Sequence, residues 1–316
     1  MRAQIETYTR EEVAAIYGSP LPELMIRAMV IHRQHHDPLV IQHCTLANIK
    51  AGGCPEDCAY CPQSAHYNTG VRNEKLAAVD DVLAQARAAR DSGSTRFCMG
   101  ASWRSVRDDS DFEDVLSLVR QVREMGMEAC VTLGMLTREQ AIRLKEAGLT
   151  SYNHNLDTSP EFYGQIVTTR TYADRLETLQ HIQEAGIEVC CAGILGMGES
   201  RADRVALLTE LANLSPQPHS VPINALVPVE GTPLQDRPVI DAIEMVRAIA
   251  TARILMPHSR VRLAAGRANM TDEAQALCFL AGANSIFTGE KLLTTPNPGC
   301  SHDDALLDKL GLAKMR

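Results

Sequence analysis

One pattern recurs along most of this chain and limits what it can fold into. An amphipathic helical stretch ends in glycine, and a short β-rich run follows. It is read in LAQARAARDSGSTRFCMGA, VRQVREMGMEACVTLG, AIRLKEAGLTSYNHNLD, LQHIQEAGIEVCCAGI and ALCFLAGANSIFTG. A glycine closing a helix supplies the left-handed cap conformation. Thr137 followed by Gln140, and less completely Thr271 by Ala274, mark helix starts. Two further β-rich runs, SVPINALV and RVRLAAG, flank the helical stretch VIDAIEMVRAIATARILM. Strands are expected near residues 41–48, 95–101, 128–133, 150–157, 187–193, 220–226, 260–265 and 285–288. Eight strands alternating with helices over 316 residues predict a (β/α)8 TIM-type barrel. A doubly wound open sheet is the alternative, and strand pattern alone does not separate the two. No linker or low-complexity run breaks the chain. Residues 1–39 read as an N-terminal helical segment, 40–300 as the barrel and 301–316 as a short C-terminal tail. In the first of these, Thr9 with Glu12 forms a capping box.

At 45% hydrophobic residues the chain can bury a large core. Its net charge of −8 argues against nucleic acid or an anionic membrane as partner, since both attract basic proteins. No apolar run approaches a membrane span, and the first residues lack the apolar core of a signal peptide. A cytoplasmic location is expected. Ten cysteines are many for such a protein, and a reducing compartment disfavours structural disulfides. Metal binding is the better general reading, with buried free cysteine the alternative for each one singly.

Three of the ten, Cys54, Cys58 and Cys61, stand in AGGCPEDCAYCPQSAHYNTG with C-x3-C-x2-C spacing. A closed structural zinc site takes four ligands. Three thiolates on one short loop suit a metal centre with one position open. A zinc site with a distant fourth ligand such as His66 is the rival reading. The loop follows the first strand, which in a barrel places it over the mouth, where βα loops carry the chemistry.

Polar residues on the expected strands extend the argument. Side chains two apart on a strand share a face, so Asn153, Asn155 and Asp157 are expected to point inward together. Either they form a satisfied polar layer or they recognise a ligand, for which carboxamides are well suited. Cys98, Cys130 and Cys190 lie on three other strands. Cys130 and Cys190 each stand four residues past a helix-ending glycine, and Cys98 stands five past one. Arg262, flanked by Val261 and Leu263, points inward if those two face the helices, and a buried arginine needs partners. An ion pair with an inward carboxylate would satisfy it. Three cysteines and an arginine around a second metal centre is the other reading.

These residues resemble a known family. C-x3-C-x2-C is the signature of radical S-adenosylmethionine enzymes. CPEDCAYCPQS, STRFCMGA, YNHNLDTSPEFY, SVPINALV, VRLAAGR and KLLTTPNPG resemble the biotin synthase family, in the family's order. The resemblance implies that Cys54, Cys58 and Cys61 bind three irons of a [4Fe-4S] cluster whose fourth iron chelates S-adenosyl-L-methionine. Reductive cleavage would yield a 5′-deoxyadenosyl radical, which takes hydrogen from unactivated carbon. It implies a second, [2Fe-2S] cluster on Cys98, Cys130, Cys190 and Arg262, the source of the sulfur inserted into dethiobiotin to make biotin. The catalytic set is thus these six cysteines and Arg262. Asn155 and Asp157 match contacts to the ribose of S-adenosylmethionine, and Arg175 matches a residue facing its carboxylate. Arg175 also reads as an exposed helix charge. Asn153, Asn155 and Asn224 match contacts to the ureido ring of dethiobiotin, and Thr294 and Thr295 match the segment receiving its carboxylate tail. The expected partners are dethiobiotin, a reduced flavodoxin- or ferredoxin-type electron donor, iron–sulfur assembly machinery and a second copy in a homodimer.

Departures are few. Cys191 directly follows Cys190, and Cys44, Cys278 and Cys300 have no assigned role. Another radical enzyme acting on a small molecule, and a non-catalytic iron–sulfur protein, are the rival functions. A lipoyl synthase is rejected, because that family carries an N-terminal cysteine-rich motif and no cysteine precedes Cys44 here.

Overall fold

The computed structural model describes residues 7–316. Residues 1–6 of the N-terminal segment lie outside the described residues. Eight parallel strands form the centre: β1 Val40–Lys50, β2 Arg96–Ala101, β3 Glu128–Thr132, β4 Ser151–Asn153, β5 Glu188–Cys190, β6 Ser220–Ala225, β7 Arg260–Leu263 and β8 Ser285–Thr288. They pair in chain order, and β8 returns to β1 with Gln42 opposite Ser285 and Cys44 opposite Phe287. The sheet therefore closes on itself, which decides for the barrel against the open sheet.

The helices follow from apolar spacing and capping. Ser110–Glu124 is capped by Asp109, whose side chain accepts from the Phe112 amide, and buries Phe112, Val115, Leu116, Leu118, Val119 and Val122. Those positions recur at the helical period, so one stripe faces the sheet. The capping boxes at Thr9–Glu12 and Thr137–Gln140 both form. Helices Arg10–Tyr17 and Leu21–His35 precede the barrel. The last residues form a helix, Cys300–Leu310, and a short strand, Ala313–Lys314, that pairs with Val40 and Ile41.

Alternation along the strands sorts the core from the interior. Phe97, Met99, Ala129, Val131, Val189, Cys191, Val261 and Leu263 pack in the apolar layer between strands and helices. Cys98, Cys130, Cys190 and Arg262, one position away, line the interior cavity instead. Cys98 and Cys130 stand directly opposite each other on β2 and β3. Their different offsets from glycine thus reach the same depth.

Two strands are shorter than the sequence suggests. β4 covers three residues rather than 150–157, and β5 stops at Cys190, with a two-residue strand, Ile194–Leu195, resuming against β6. The reason is local. The Asn155 side chain accepts from the Ala192 amide at 3.2 Å, and Asp157 takes a left-handed backbone, φ 67°. Side chains that bond the backbone compete with the ladder. The Asp157 carbonyl accepts from Ile194 N at 2.8 Å, and Gly193 packs so tightly there that a Cβ would lie 2.5 Å from that oxygen.

Candidate active site

The loop after β1 carries the cysteine triplet and is held by contacts that do not involve the thiols. Gly52 has φ +64°, and a Cβ there would lie 2.3 Å from the Arg72 carbonyl oxygen, so only glycine allows the two backbones to meet. Cys54 N donates to the Gln63 carbonyl at 3.0 Å, and Cys61 N to the Cys58 carbonyl at 2.9 Å. Between the cysteines, Asp57 accepts from the amides of Thr168 and Thr169 at 2.9 and 3.2 Å. Burial opposes its ionisation, yet hydrogen bonds from the Thr168 and Thr169 side chains and amides pull its pKa down to about 2. Glu56 is buried and pairs with Arg104 at 3.2 Å and with the Thr169 hydroxyl. Ala59 N donates to the Ile166 carbonyl at 2.9 Å. The triplet is thereby anchored to the segment following β4.

One cavity of about 320 Å³ runs from this loop into the barrel. Cys54, Cys58 and Cys61 line it near the mouth, and Cys98, Cys130, Cys190 and Arg262 line it among the strands. Asn153, Asn155, Asp157, Arg175, Asn224, Thr294 and Thr295 line it as well. Every site residue expected from sequence therefore reaches the same space. Asn155 and Asp157 do so from beyond the end of β4 rather than from the strand. His66 does not join them: it is exposed, and its Nε2 lies 3.1 Å from the Pro55 carbonyl.

The polar side chains are oriented by one another. Asn153 Nδ2 donates to Asn155 Oδ1 at 3.2 Å and lies 3.4 Å from Cys190 Sγ, while its Oδ1 accepts from Thr132 at 3.2 Å. Asn224 donates to the Gly193 carbonyl at 3.0 Å and accepts from Ala265 N at 3.2 Å. Arg175 is no exposed helix charge. It is 5% exposed, donates through Nε to the Tyr163 hydroxyl at 3.0 Å and pairs with Asp157. Thr294 and Thr295 sit on a two-stranded hairpin, Lys291–Leu292 with Thr295–Pro296, on the cavity wall.

Two arginines gain importance only in three dimensions. Arg170 lines the cavity with Nη2 3.9 Å from Cys58 Sγ and Nε 3.8 Å from Glu56. In sequence it is one charge in a loop, with no periodicity or motif to mark it. Arg96 is buried on β2 and donates to Glu128 at 2.7 Å. Arg262 is fully buried. Its Nε donates to Ser285 Oγ at 2.9 Å, its guanidinium lies 4.6 Å from the centre of the Phe287 ring, and its Nη1 is 3.8 Å from Cys190 Sγ. The expected alternative, an inward carboxylate as its partner, is not what it meets.

The donor sets suit iron–sulfur clusters. All ten cysteines are free. Burial pushes the Cys58 thiol up to about 11 and Cys61 up to about 12. Cys190 is raised well above its ordinary value by its hydrogen bond with Cys130 and by burial. Cys130 is pulled down by Cys190 but raised on balance by Cys98 and by burial. Buried neutral thiols of this kind ionise when a metal centre supplies the positive charge. Among the described residues no three His, Cys, Asp or Glu are gathered to hold a single metal ion. Cysteine thiolates are the usual ligands of iron–sulfur groups, and both cysteine sets offer them. Cys278 lies in the apolar core, and Cys300 accepts a contact from the Thr288 hydroxyl at 3.5 Å.

Comparison with known proteins agrees with this geometry. Residues 48–211 match the model of the radical SAM superfamily, and residues 222–313 match the biotin and thiamin synthesis associated domain. A biotin synthase from Cytophaga hutchinsonii is 61% identical over 305 residues, covering 96% of this chain and 90% of the relative. One from Granulibacter bethesdensis is also 61% identical, covering 96% and 97%. Among solved structures, methylornithine synthase (PylB) superposes with a TM-score of 0.80 at 15% identity, over 98% of this chain and 95% of that one. The FeFe-hydrogenase maturase HydG from Carboxydothermus hydrogenoformans gives 0.79 at 16% identity, over 98% and 76%. At such identities the two structures speak for the fold alone. The extent and identity of the sequence matches establish the function: the chain belongs to the biotin synthase family of radical S-adenosylmethionine enzymes.

Proposed function

We propose that this cavity holds a [4Fe-4S] cluster at Cys54, Cys58 and Cys61 and a [2Fe-2S] cluster at Cys98, Cys130, Cys190 and Arg262, with dethiobiotin between them. The observation that carries the reading is that both cysteine sets and the polar side chains line one and the same cavity. When bound, the first cluster with S-adenosyl-L-methionine supplies a 5′-deoxyadenosyl radical and the second supplies sulfide, chemistry that no side chain provides. The protein's part is to bind, orient and exclude water. Cys54, Cys58 and Cys61 would hold the first cluster without a fourth protein thiolate, which would let it take the amino and carboxylate groups of S-adenosylmethionine. Asn155 and Asp157 accept from its ribose hydroxyls, and Arg175 brings positive charge to the side where its carboxylate sits. Asn153, Asn155 and Asn224 offer donors and acceptors complementary to a ureido ring. Thr294 and Thr295 receive the substrate's carboxylate tail, and their hairpin shields the reaction from solvent.

The remaining partners follow from the same reading. A reduced flavodoxin- or ferredoxin-type protein supplies electrons, assembly machinery rebuilds the sulfur-donating cluster, and the chain acts as a homodimer in the cytoplasm. Among the described residues no helix is long and apolar enough to cross a membrane.

Anaerobically reconstituted protein given dithionite, S-adenosylmethionine and dethiobiotin should form biotin. About two 5′-deoxyadenosine should appear per biotin, one for each C–H bond broken, as the [2Fe-2S] absorbance falls. Release of 5′-deoxyadenosine without biotin would remove the substrate assignment. Arg262→Met tests the deep site. Methionine keeps much of the volume but not the charge: if Arg262 only tunes the second cluster, as a charge near the irons, the cluster should still assemble with an altered spectrum and some biotin should form. Complete loss of the [2Fe-2S] absorbance would make Arg262 an essential ligand or structural residue instead.

A further inference from the structure

Cys44 belongs to neither cysteine set, yet it touches the least usual residue of the deep site. It lies on β1, fully buried, and its Sγ accepts from Arg262 Nη2 at 3.2 Å. It also lies 3.6 Å from Ser285 Oγ, the group that accepts from Arg262 Nε. Ser285 in turn donates to Gln42 at 3.3 Å, and Gln42 donates to Glu128 at 2.9 Å, which holds Arg96. The guanidinium is thus held at Nε by Ser285, at Nη2 by Cys44 and across its face by Phe287. Only Nη1 is left pointing toward the cysteine trio, 3.8 Å from Cys190 Sγ.

We propose that Cys44 is a positioning residue for the second cluster: its thiol engages Nη2 of Arg262 and so determines that Nη1 is the nitrogen presented to the iron–sulfur group. The inference rests on the cluster assignment above. A guanidinium has two equivalent terminal nitrogens and rotates about its side-chain bonds unless its donors are satisfied elsewhere. Ser285 alone fixes Nε and leaves that choice open. Partners in the layer behind a metal ligand set its orientation and tune the metal, and their loss commonly costs about 10–100-fold in metal affinity or activity.

The test compares the parent protein with Cys44→Ala, Cys44→Val and Cys44→Ser, all reconstituted anaerobically. Iron and sulfide content, visible absorbance, circular dichroism of the second cluster and biotin formed are measured. Cys44→Ala and Cys44→Val should keep the parent's iron content, shift the circular dichroism bands and lose about 10–100-fold in biotin formed. Cys44→Ser, whose hydroxyl accepts the same bond, should return the parent spectrum and most of the product. Cys44→Val fills the space without an acceptor, so it reads the same effect if alanine prevents folding. An unchanged spectrum in the alanine and valine variants would overturn the inference alone. Loss of the second cluster's iron from the alanine, valine and serine variants alike would overturn it by making Cys44 a ligand. A parent without any [2Fe-2S] signal would overturn both the inference and the assignment beneath it.

Discussion

Replacing Cys54, Cys58 and Cys61 together by alanine is expected to abolish reductive cleavage of S-adenosylmethionine. The measurement is 5′-deoxyadenosine released by the anaerobically reconstituted protein with dithionite, with and without dethiobiotin. Parent protein should release it, and more with dethiobiotin present; the triple variant should release none above background. The loss should be one of chemistry rather than folding. The loop is tied down by groups the substitutions leave alone: Asp57 on the Thr168 and Thr169 amides, Ser64 Oγ on the Glu56 carbonyl at 2.5 Å, and Gly52 against Arg72. Far-ultraviolet circular dichroism should therefore match the parent. Each single replacement removes one thiolate from a set that already leaves one iron open, so each should also abolish cleavage. Continued formation of 5′-deoxyadenosine by the triple variant would mean that the cluster is held elsewhere.

The second large effect separates two neighbours. Cys190 ends β5 and Cys191 follows it, and the two face opposite ways. Cys190 lines the cavity, receives Asn153 Nδ2 at 3.4 Å and faces Arg262 Nη1 at 3.8 Å. Cys191 is fully buried among the apolar residues between strand and helix. Cys190→Ala should keep the first cluster and 5′-deoxyadenosine release but lose the [2Fe-2S] signal and biotin. Cys191→Ala removes a small apolar side chain and should cost no more than about 1–2 kcal/mol of stability, with both clusters intact. Iron content, spectra and product for the two variants, taken side by side, check this. If Cys191→Ala lost the [2Fe-2S] signal and Cys190→Ala kept it, the deep ligand would be the other cysteine.

Much of the fold could be read from residue order because it is encoded locally. Helix-ending glycines, capping pairs such as Thr137 with Gln140, and apolar periods each act within a few residues. The inward direction of Cys98, Cys130, Cys190 and Arg262 was legible for the same reason, since two-residue alternation is a property of the strand itself. The ends of β4 and β5 were not. There the Asn155 side chain and the left-handed backbone at Asp157 replace the regular ladder, and the choice depends on what lies across the gap at Ala192 and Gly193.

By itself the sequence determined the alternation of strands and helices, the three-thiol loop after the first strand and a second set of cysteines on later strands; closure of the sheet into a barrel was decided by the pairing of β8 with β1. Only the tertiary structure decided which partners those side chains meet. Arg262 reaches Cys44 across 218 positions of chain because barrel closure lays β8 against β1 and seats Ser285 between them. Arg175 leaves solvent for Asp157, and Arg170 comes to lie beside Cys58, 112 positions away. A guanidinium sits on a long, flexible stem, so its position along the chain does not say where its donors end. That is settled by which acceptors remain unpaired once the strands have closed and the loops have packed over them.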